Sequence, residues 1–315
     1  MNEFELIARL KPNLPTNQSV VEGAGDDCAV LDLGVPDQFV LFKTDAVVEG
    51  IHFEADADAR AVGHKALARC LSDIGAMGGR PTAALVTLGL PPKFDPGWVE
   101  KLYDGIGTLA RRYEVAVAGG ETTTTQDKTF ISIALLGTVD KAHCVRRSGA
   151  STGDAIFVTG ELGGSIGGKH LEFEPRLAEG QWLARNFQIH AMIDVSDGLA
   201  GDLRHLLTAN QCGAELLSDA IPISRAAKLH ARQESSSKPP LLAALTDGED
   251  FELLFTVASK DAVPLLDGWK KQFKTIRLSC IGKIVGTPGL RLRDKQGVRE
   301  INLAGYTHFA KPGNS

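Results

Sequence analysis

The sequence predicts a two-domain α/β protein, and three observations carry that expectation. Its 315 residues are 43% hydrophobic, enough to bury more than one core. Strand-like apolar runs alternate with segments of helical spacing along the chain. A polar, glycine-bearing joint, Arg146-Arg147-Ser148-Gly149-Ala150 followed by Thr152-Gly153-Asp154, interrupts that alternation and divides the chain into residues 1–148 and 149–315.

Taken in order, residues 3–10 have the spacing of a short amphipathic helix, ended by Pro12 and Pro15. Gly25-Asp26-Asp27 suits a tight loop, because glycine accepts backbone angles that other residues resist and Asp bonds to nearby backbone. A strand over 38–42 follows, with Asp45 at its end, where a buried Val or Ile would be expected. Residues 59–77 are helical, and Asp73 falls on the apolar stripe with Ala66, Cys70 and Met77. A carboxylate there is costly unless paired, protonated, metal-bound or bonded to backbone. A strand over 83–88 and a helix over 95–113 lead to a short buried strand, 115–118, running into Gly119-Gly120-Glu121-Thr122-Thr123. Residues 130–139 read as another strand.

The second half opens with a strand over 155–159 and Gly163-Gly164-Ser165-Ile166-Gly167-Gly168-Lys169-His170. This nearly matches a phosphate-binding P-loop, but His170 stands where the pattern needs a hydroxyl, so close packing of strand on helix is preferred. In Met192-Ile193-Asp194-Val195-Ser196-Asp197-Gly198-Leu199 a strand runs into a helix reaching Leu207, with Ser196 or Asp197 expected as its cap. Capping leaves Asp194 unexplained. Ser235 to Pro240 reads as a surface insert, and Gly248-Glu249-Asp250-Phe251-Glu252 as an acidic turn before a strand. Strands over 278–284 and 290–292 and a tail containing Gly305-Tyr306-Thr307-His308-Phe309 complete the chain.

Composition narrows the function. The net charge is −5 and no Lys/Arg run stands out, which argues against a nucleic-acid partner. Five scattered cysteines without a Cys-x-x-Cys pair indicate reduced thiols, against a disulfide framework or structural zinc. Acids near the start do not suit a signal peptide, and no apolar segment approaches ~18 residues, so a cytoplasmic protein with no membrane partner is expected. Carboxylates then recur at strand ends, in glycine turns or on an apolar helix stripe: Asp26/Asp27, Asp45, Asp73, Glu121, Asp194/Asp197 and Glu249/Asp250. Each alone also fits a solvated turn or a structural acid. Together in a cleft they would repel, and hard oxygen donors suit several Mg²⁺ ions bridging to phosphates. Arg147 would clamp a phosphate or lie solvated in the joint, and Tyr306 reads equally as packing. The chemistry this implies is phosphoryl transfer from a nucleotide.

The order of these motifs resembles the thiamine-monophosphate kinase family, in the superfamily of aminoimidazole ribonucleotide synthetase and selenide, water dikinase. The resemblance covers nearly the whole chain, through Gly25-Asp26-Asp27-Cys28-Ala29, Thr44-Asp45, Gly50-Ile51-His52-Phe53, Leu71-Ser72-Asp73, Gly119-Gly120-Glu121-Thr122, Arg147-Ser148-Gly149-Ala150, Pro175-Arg176, Asp194-Val195-Ser196-Asp197-Gly198-Leu199, Gly248-Glu249-Asp250-Phe251-Glu252-Leu253 and the Gly305 tail motif. It implies an N-terminal mixed sheet with helices that dimerises through its strands, a C-terminal α/β domain, and ATP-dependent conversion of thiamine monophosphate to thiamine diphosphate. By motif, Asp27, Thr44, Asp45, Asp73, Glu121, Asp194 and Asp197 would hold Mg²⁺. Gly120, Glu121, Arg147 and Ser196 would contact ATP, and His52, Glu249 and Tyr306 the thiamine phosphate.

Two positions depart from the family: Glu121 stands where Asp is usual, and Lys43 where a small hydroxyl residue is usual. Glu121 can still reach a metal through its longer arm, whereas Lys43 would occupy a cation position. The acceptor is a phosphate monoester, already largely dianionic near neutrality, so no general base is expected and transfer would be direct and in line. The alternatives are another ATP-using superfamily member, such as a synthetase or maturation factor, or a nucleotide-binding protein weakened through Lys43 and Glu121.

Overall fold

The computed structural model describes residues 3–233, 238–303, 305 and 306. Ser235 to Ser237, within the expected insert, and Thr307 to Phe309, within the tail motif, lie outside the described residues. The elements run α1 (Glu3–Leu10), β1 (Val20–Glu22), β2 (Ala29–Leu31), β3 (Gln38–Val48), α2 (Ala59–Ala76), β4 (Arg80–Leu90), α3 (Pro96–Arg112), β5 (Ala116–Thr124) and β6 (Phe130–Asp140). They continue β7 (Ala155–Thr159), α4 (Lys169–Glu172), α5 (Leu177–Asn186), β8 (Ile189–Asp194), α6 (Leu199–Asn210), β9 (Gly213–Leu217), α7 (Arg225–Gln233), α8 (Pro240–Thr246), β10 (Leu253–Val257), α9 (Ala262–Gln272), β11 (Leu278–Val285), β12 (Gly289–Asp294) and β13 (Gly297–Glu300). Two compact units form: one of Ser19–Cys144 with Gly168–Gln181, and one of Met1–Gln18, Val145–Gly167 and Trp182–Ser315.

The unit built on Ser19–Cys144 carries a sheet in the order β1-β2-β3-β6-β4-β5. β6 lies antiparallel to both β3 and β4, and β3 pairs with it from Gln38 opposite Asp140 to Val48 opposite Phe130. The apolar residues alternate as one buried face requires. Leu41, Val47, Ala84, Val86, Leu88, Ile131, Ile133 and Leu135 are buried. α2 contacts β3, β6 and β4 and packs on α3. Consistent with that double cover, α2 is buried almost all round. Its N-cap Asp58 accepts from the Ala61 N–H at 3.0 Å, and Asp95 caps α3 by accepting from the Gly97 N–H at 2.9 Å ahead of an N1 proline. The other face of the sheet is open: Phe42, Leu85 and Leu136 are 45%, 51% and 40% exposed.

Asp45 is not at a strand end, because β3 continues to Val48 along its full pairing with β6. The strand expected to be buried at 115–118 is the exposed edge strand β5, and it contains Gly119, Gly120 and Glu121 instead of ending before them. With β4 alone beside it, β5 has no second neighbour to bury it. Glycine is required at 120, since a Cβ there would sit 1.8 Å from the Val86 carbonyl oxygen.

The unit containing Val145–Gly167 has the sheet order β13-β12-β9-β11-β7-β10-β8, antiparallel except for β12 on β9. β7 and β10 are buried at every residue, as central strands covered on both faces must be. Ile156, Val158, Leu254 and Ile281 join Leu199, Leu203 and Leu206 of α6 and Ala244 and Leu245 of α8 in one core. Phe157 and Phe255, alternating to the other side, stack at 5.5 Å. Gly163 and Gly164 have positive φ and press against α8 and α7, where a Cβ would lie 2.7 Å from the Ala244 and Ala227 nitrogens. Gly163 and Gly164 are thus packing positions, whereas Gly168 has a positive φ and open space where a Cβ would sit.

Where α2 crosses α3, a methyl on Gly105 would lie 2.0 Å from the Arg60 carbonyl oxygen, whereas Gly107 faces only the flexible Arg111 side chain. Gly105→Ala is therefore expected to lower stability by about 2–3 kcal/mol, since overpacking outweighs the gain in helix propensity. Gly107→Ala is expected to be neutral or to gain up to about 1 kcal/mol. Urea unfolding midpoints of the two variants check the contrast.

Candidate functional site

Strand and helix periods bring four charges onto one face of the Ser19–Cys144 unit. Lys43 and Asp45 are two apart on β3 and point to the same side; Arg69 and Asp73 are four apart on α2 and share a stripe. The result is two cross-links. Lys43 Nζ donates to Asp73 Oδ1 at 2.8 Å, and Arg69 donates through Nε and Nη2 to Asp45 at 3.0 and 3.3 Å. Asp27, buried in its turn, offers a carboxylate oxygen within 4.8 Å of one from Asp73.

Burial would push the Asp45 carboxyl up, but the Arg69 and Lys43 charges overcome it and hold it below the usual carboxylate range. Burial works against the Lys43 charge too, and Asp73 and Asp45 together raise its pKa well above the ordinary value. The Cys28 and Cys70 thiols are pushed well up, first by burial and then by neighbouring carboxylates including Asp73. Neither is poised to act as a thiolate.

Thr44 alternates to the open face of the sheet, where its hydroxyl meets Ser132 Oγ at 3.3 Å, so its side chain does not join Asp45. His52 Nδ1 accepts from the Val48 N–H at 3.1 Å, which puts the ring proton on Nε2. Its carbonyl accepts from Lys65 Nζ at 2.6 Å, and Lys65 also meets His170 Nδ1 at 2.8 Å. Sequence reasoning missed Lys65, which is fully buried. The available signal was its place four residues before Arg69 and eight before Asp73, on the same stripe. Gly120 and Glu121 lie exposed on β5, where Glu121 Oε1 accepts from the Thr122 N–H at 3.0 Å.

In the other unit, Asp194 ends β8 and the chain turns through Val195-Ser196-Asp197 into α6. Backbone bonds tie this turn to two distant segments. The Glu249 N–H donates to the Ser196 carbonyl at 2.6 Å, Phe251 to Val195 at 2.8 Å, and Tyr306 to Asp197 at 2.9 Å. Glu249 and Phe251 hold φ of +67° and +50°, left-handed angles unusual for such residues and found where surrounding structure over-determines them.

Neither Ser196 nor Asp197 caps α6. The N-cap is Gly198, with no side-chain cap bond, because its φ of +101° and the 2.9 Å from its Cβ position to the Asp247 carbonyl oxygen admit only glycine. Instead the Asp197 N–H donates to Asp202 Oδ2 at 3.0 Å. Asp202 is buried, and burial followed by the charges of Asp197 and Asp194 pushes its carboxyl well up. Asp197, Asp202 and His205 each offer a ligand atom within 4.8 Å of the others. Asp202 and His205 were missed, though Asp202 falls on the Leu199–Leu203–Leu206 stripe where a polar residue is out of place, and His205 follows it by three residues, one turn along the helix.

Of the acidic run, Asp250 is structural: it accepts from the Gly163 N–H at 2.8 Å and from the Ser165 hydroxyl. Glu252 likewise accepts from Thr159 Oγ1 at 2.8 Å. Arg147 sits on a loop moored by Asn210, whose amide donates to its carbonyl at 2.8 Å and accepts from the Gly149 N–H at 2.6 Å. Among the described residues no helix is long and apolar enough to cross a membrane.

Comparison with known proteins gives consistent matches. Family models for the AIR synthase related protein match residues 25–139 for the N-terminal domain and 151–295 for the C-terminal domain. A thiamine-monophosphate kinase of Rhodopirellula baltica is 40% identical, covering 91% of each chain. That of Escherichia coli K12 is 34% identical over 98% of this chain and 99% of its own. Among solved structures, AaThiL complexed with AMPPCP and TMP is 31% identical, with a TM-score of 0.80 over 98% of this chain and 97% of that one.

Breaking the Asp45–Arg69 pair with Arg69→Ala is expected to cost about 2–3 kcal/mol at pH 7, somewhat less than a fully buried pair because both side chains keep some solvent contact. A carboxylate whose folded pKa is depressed contributes its stability above the unfolded value, near 4, and loses it as pH falls through the folded value. The gap between wild type and Arg69→Ala, read from urea midpoints, should therefore narrow below about pH 4.

Proposed function

This chain belongs to the AIR synthase related protein family, and we propose that it phosphorylates thiamine monophosphate to thiamine diphosphate with ATP as the donor. The observation that carries the proposal is near full-length likeness to proteins bearing that activity in their names. The site chemistry supports it: buried carboxylates within a few ångström of one another suit Mg²⁺, which prefers hard oxygens and bridges them to phosphates. The fit is tested by the donor set itself, since Asp27, Asp45 and Asp73 offer only carboxylate oxygens and the nearby cysteines stay protonated.

In this reading Asp27, Asp45 and Asp73, with the backbone at Thr44, would hold Mg²⁺ in one unit, and Asp194 and Asp197 would do so in the other; Glu121, in line with Thr87, Ser132 and Ala46 across the sheet, faces the side opposite Asp45 and is kept as an ATP contact. Mg²⁺ supplies charge neutralisation for the transferring phosphoryl group. Gly120, Glu121, Arg147 and Ser196 contact ATP. Gly120 and Glu121 offer the exposed edge of β5, and Arg147 offers paired donors to phosphate oxygens. His52 presents Nε2–H, and with Glu249 and Tyr306 it holds the thiamine phosphate. The acceptor oxygen is already ionised near pH 7, its second pKa being about 6, so no side chain removes a proton and no covalent phospho-enzyme forms. The open sheet face of Phe42, Leu85 and Leu136 supports a homodimer formed through it, and a cytoplasmic location is part of the same proposal.

Release of ADP from Mg-ATP should depend on added thiamine monophosphate, and Asp45→Asn and Asp73→Asn should each lower kcat at least about 10²-fold while leaving far-UV circular dichroism intact. Binding of ATP without turnover, or near-normal rates in both variants, would contradict the proposal.

A further inference from the structure

The charges on the α2/β3 face do not leave the carboxylates bare. Asp27, Asp45 and Asp73 carry three negative charges, and Lys43 and Arg69 return two, so the five side chains sum to −1. The two cations differ in kind. Arg69 forks onto Asp45 from the helix, as guanidinium does when it orients a carboxylate. Lys43 brings a compact ammonium on a four-carbon stem out of β3, the strand that also carries Asp45, and sets it 2.8 Å from Asp73 Oδ1. Mg²⁺ binds carboxylate oxygens at about 2.0–2.1 Å and keeps a shell of waters around itself, so a water-clad ion and this ammonium cannot serve the same side of Asp73.

Lys43 is anchored. Its strand is paired on both edges, to β2 and to β6, with Lys43 itself opposite Leu135. The ammonium stem is half-buried and its side chain is 23% exposed, against 8% for Asp73.

We propose that the Lys43 ammonium is a built-in cation of this site, taking the place of one divalent ion between Asp73 and Asp45, so that the protein binds one ion fewer than its carboxylates would otherwise hold. The inference rests on the metal-assisted reading above and adds to it which of the carboxylates' countercharges the chain provides for itself. A fixed ammonium also lets the face stay folded without metal, whereas a neutral residue at 43 would leave a charge of −2 to be balanced by ions from solution.

The test counts bound Mn²⁺, as a spectroscopic stand-in for Mg²⁺, by electron paramagnetic resonance of the free ion. The full chain is titrated with a non-hydrolysable ATP analogue and no acceptor, so turnover plays no part. Lys43→Ser and Lys43→Met are each expected to bind about one more ion per chain than wild type, and Lys43→Arg the same number. Melting temperatures in EDTA and in Mn²⁺ give the second readout: ions should raise them more in the two neutral variants than in wild type. A neutral variant unfolded in EDTA and refolded by Mn²⁺ supports the proposal; one that Mn²⁺ fails to restore counts against it. Equal, non-zero ion numbers in wild type and both neutral variants would show that Lys43 leaves Asp73 when ions arrive, and would overturn this inference alone. No bound ion in any variant would overturn the metal reading and this inference with it.

Discussion

Repulsion among acids sets the terms for the Ser19–Cys144 unit. Two carboxylates with oxygens within 4.8 Å of one another, at an effective dielectric near 20, repel by at least about 3 kcal/mol, a large share of the stability of a domain. The chain answers by cross-linking β3 to α2 with opposite charges at matched periods, Lys43 to Asp73 and Asp45 to Arg69. Those links tie the helix to the sheet, and the Arg69 and Lys43 charges hold the Asp45 carboxyl below the usual carboxylate range. The arrangement that offsets the repulsion also sets where the carboxylates stand, so the fold and the proposed chemistry share one cause.

The Val145–Gly167 unit handles its acids differently. Asp250 and Glu252 are consumed by backbone and hydroxyl donors around Gly163, Ser165 and Thr159, and these bonds hold the turn that precedes β10. With those satisfied, the turn at Ser196-Asp197 is gripped by Glu249 and Tyr306 through backbone bonds. Strain at Glu249 and Phe251 is what such a grip requires. Asp202 lies beneath, its carboxyl pushed toward the neutral form by burial and by Asp197 and Asp194.

Much of this was readable from residue order, and the failures have physical reasons. Helical spacing located α2, and the wrong residue on its apolar stripe, Asp73, pointed to the charged face. Strand ends were misjudged at Asp45 and at Gly119-Gly120-Glu121, because pairing with β6 and β4 carries a strand through residues whose own propensities would end it. The cap of α6 was misassigned because a glycine squeezed by the Asp247 carbonyl leaves no side chain to do the capping. Lys65 and Asp202 went unnoticed because a single charge inside an apolar stripe resembles a helix surface until burial is known. β1, β2, β9, α7, α8, α9 and β13 went unassigned, being elements without a strong local apolar pattern that are held by tertiary packing.

The central claim is that these carboxylates serve a direct transfer between two phosphorylated small molecules, with no intermediate on the protein. The most direct measurement starts from ATP made chiral at the γ-phosphorus and reads the configuration of the terminal phosphate in the thiamine diphosphate formed. A single in-line displacement predicts inversion. Retention would require a phosphorylated side chain and would contradict the account, as would transfer of the label to water in place of thiamine monophosphate.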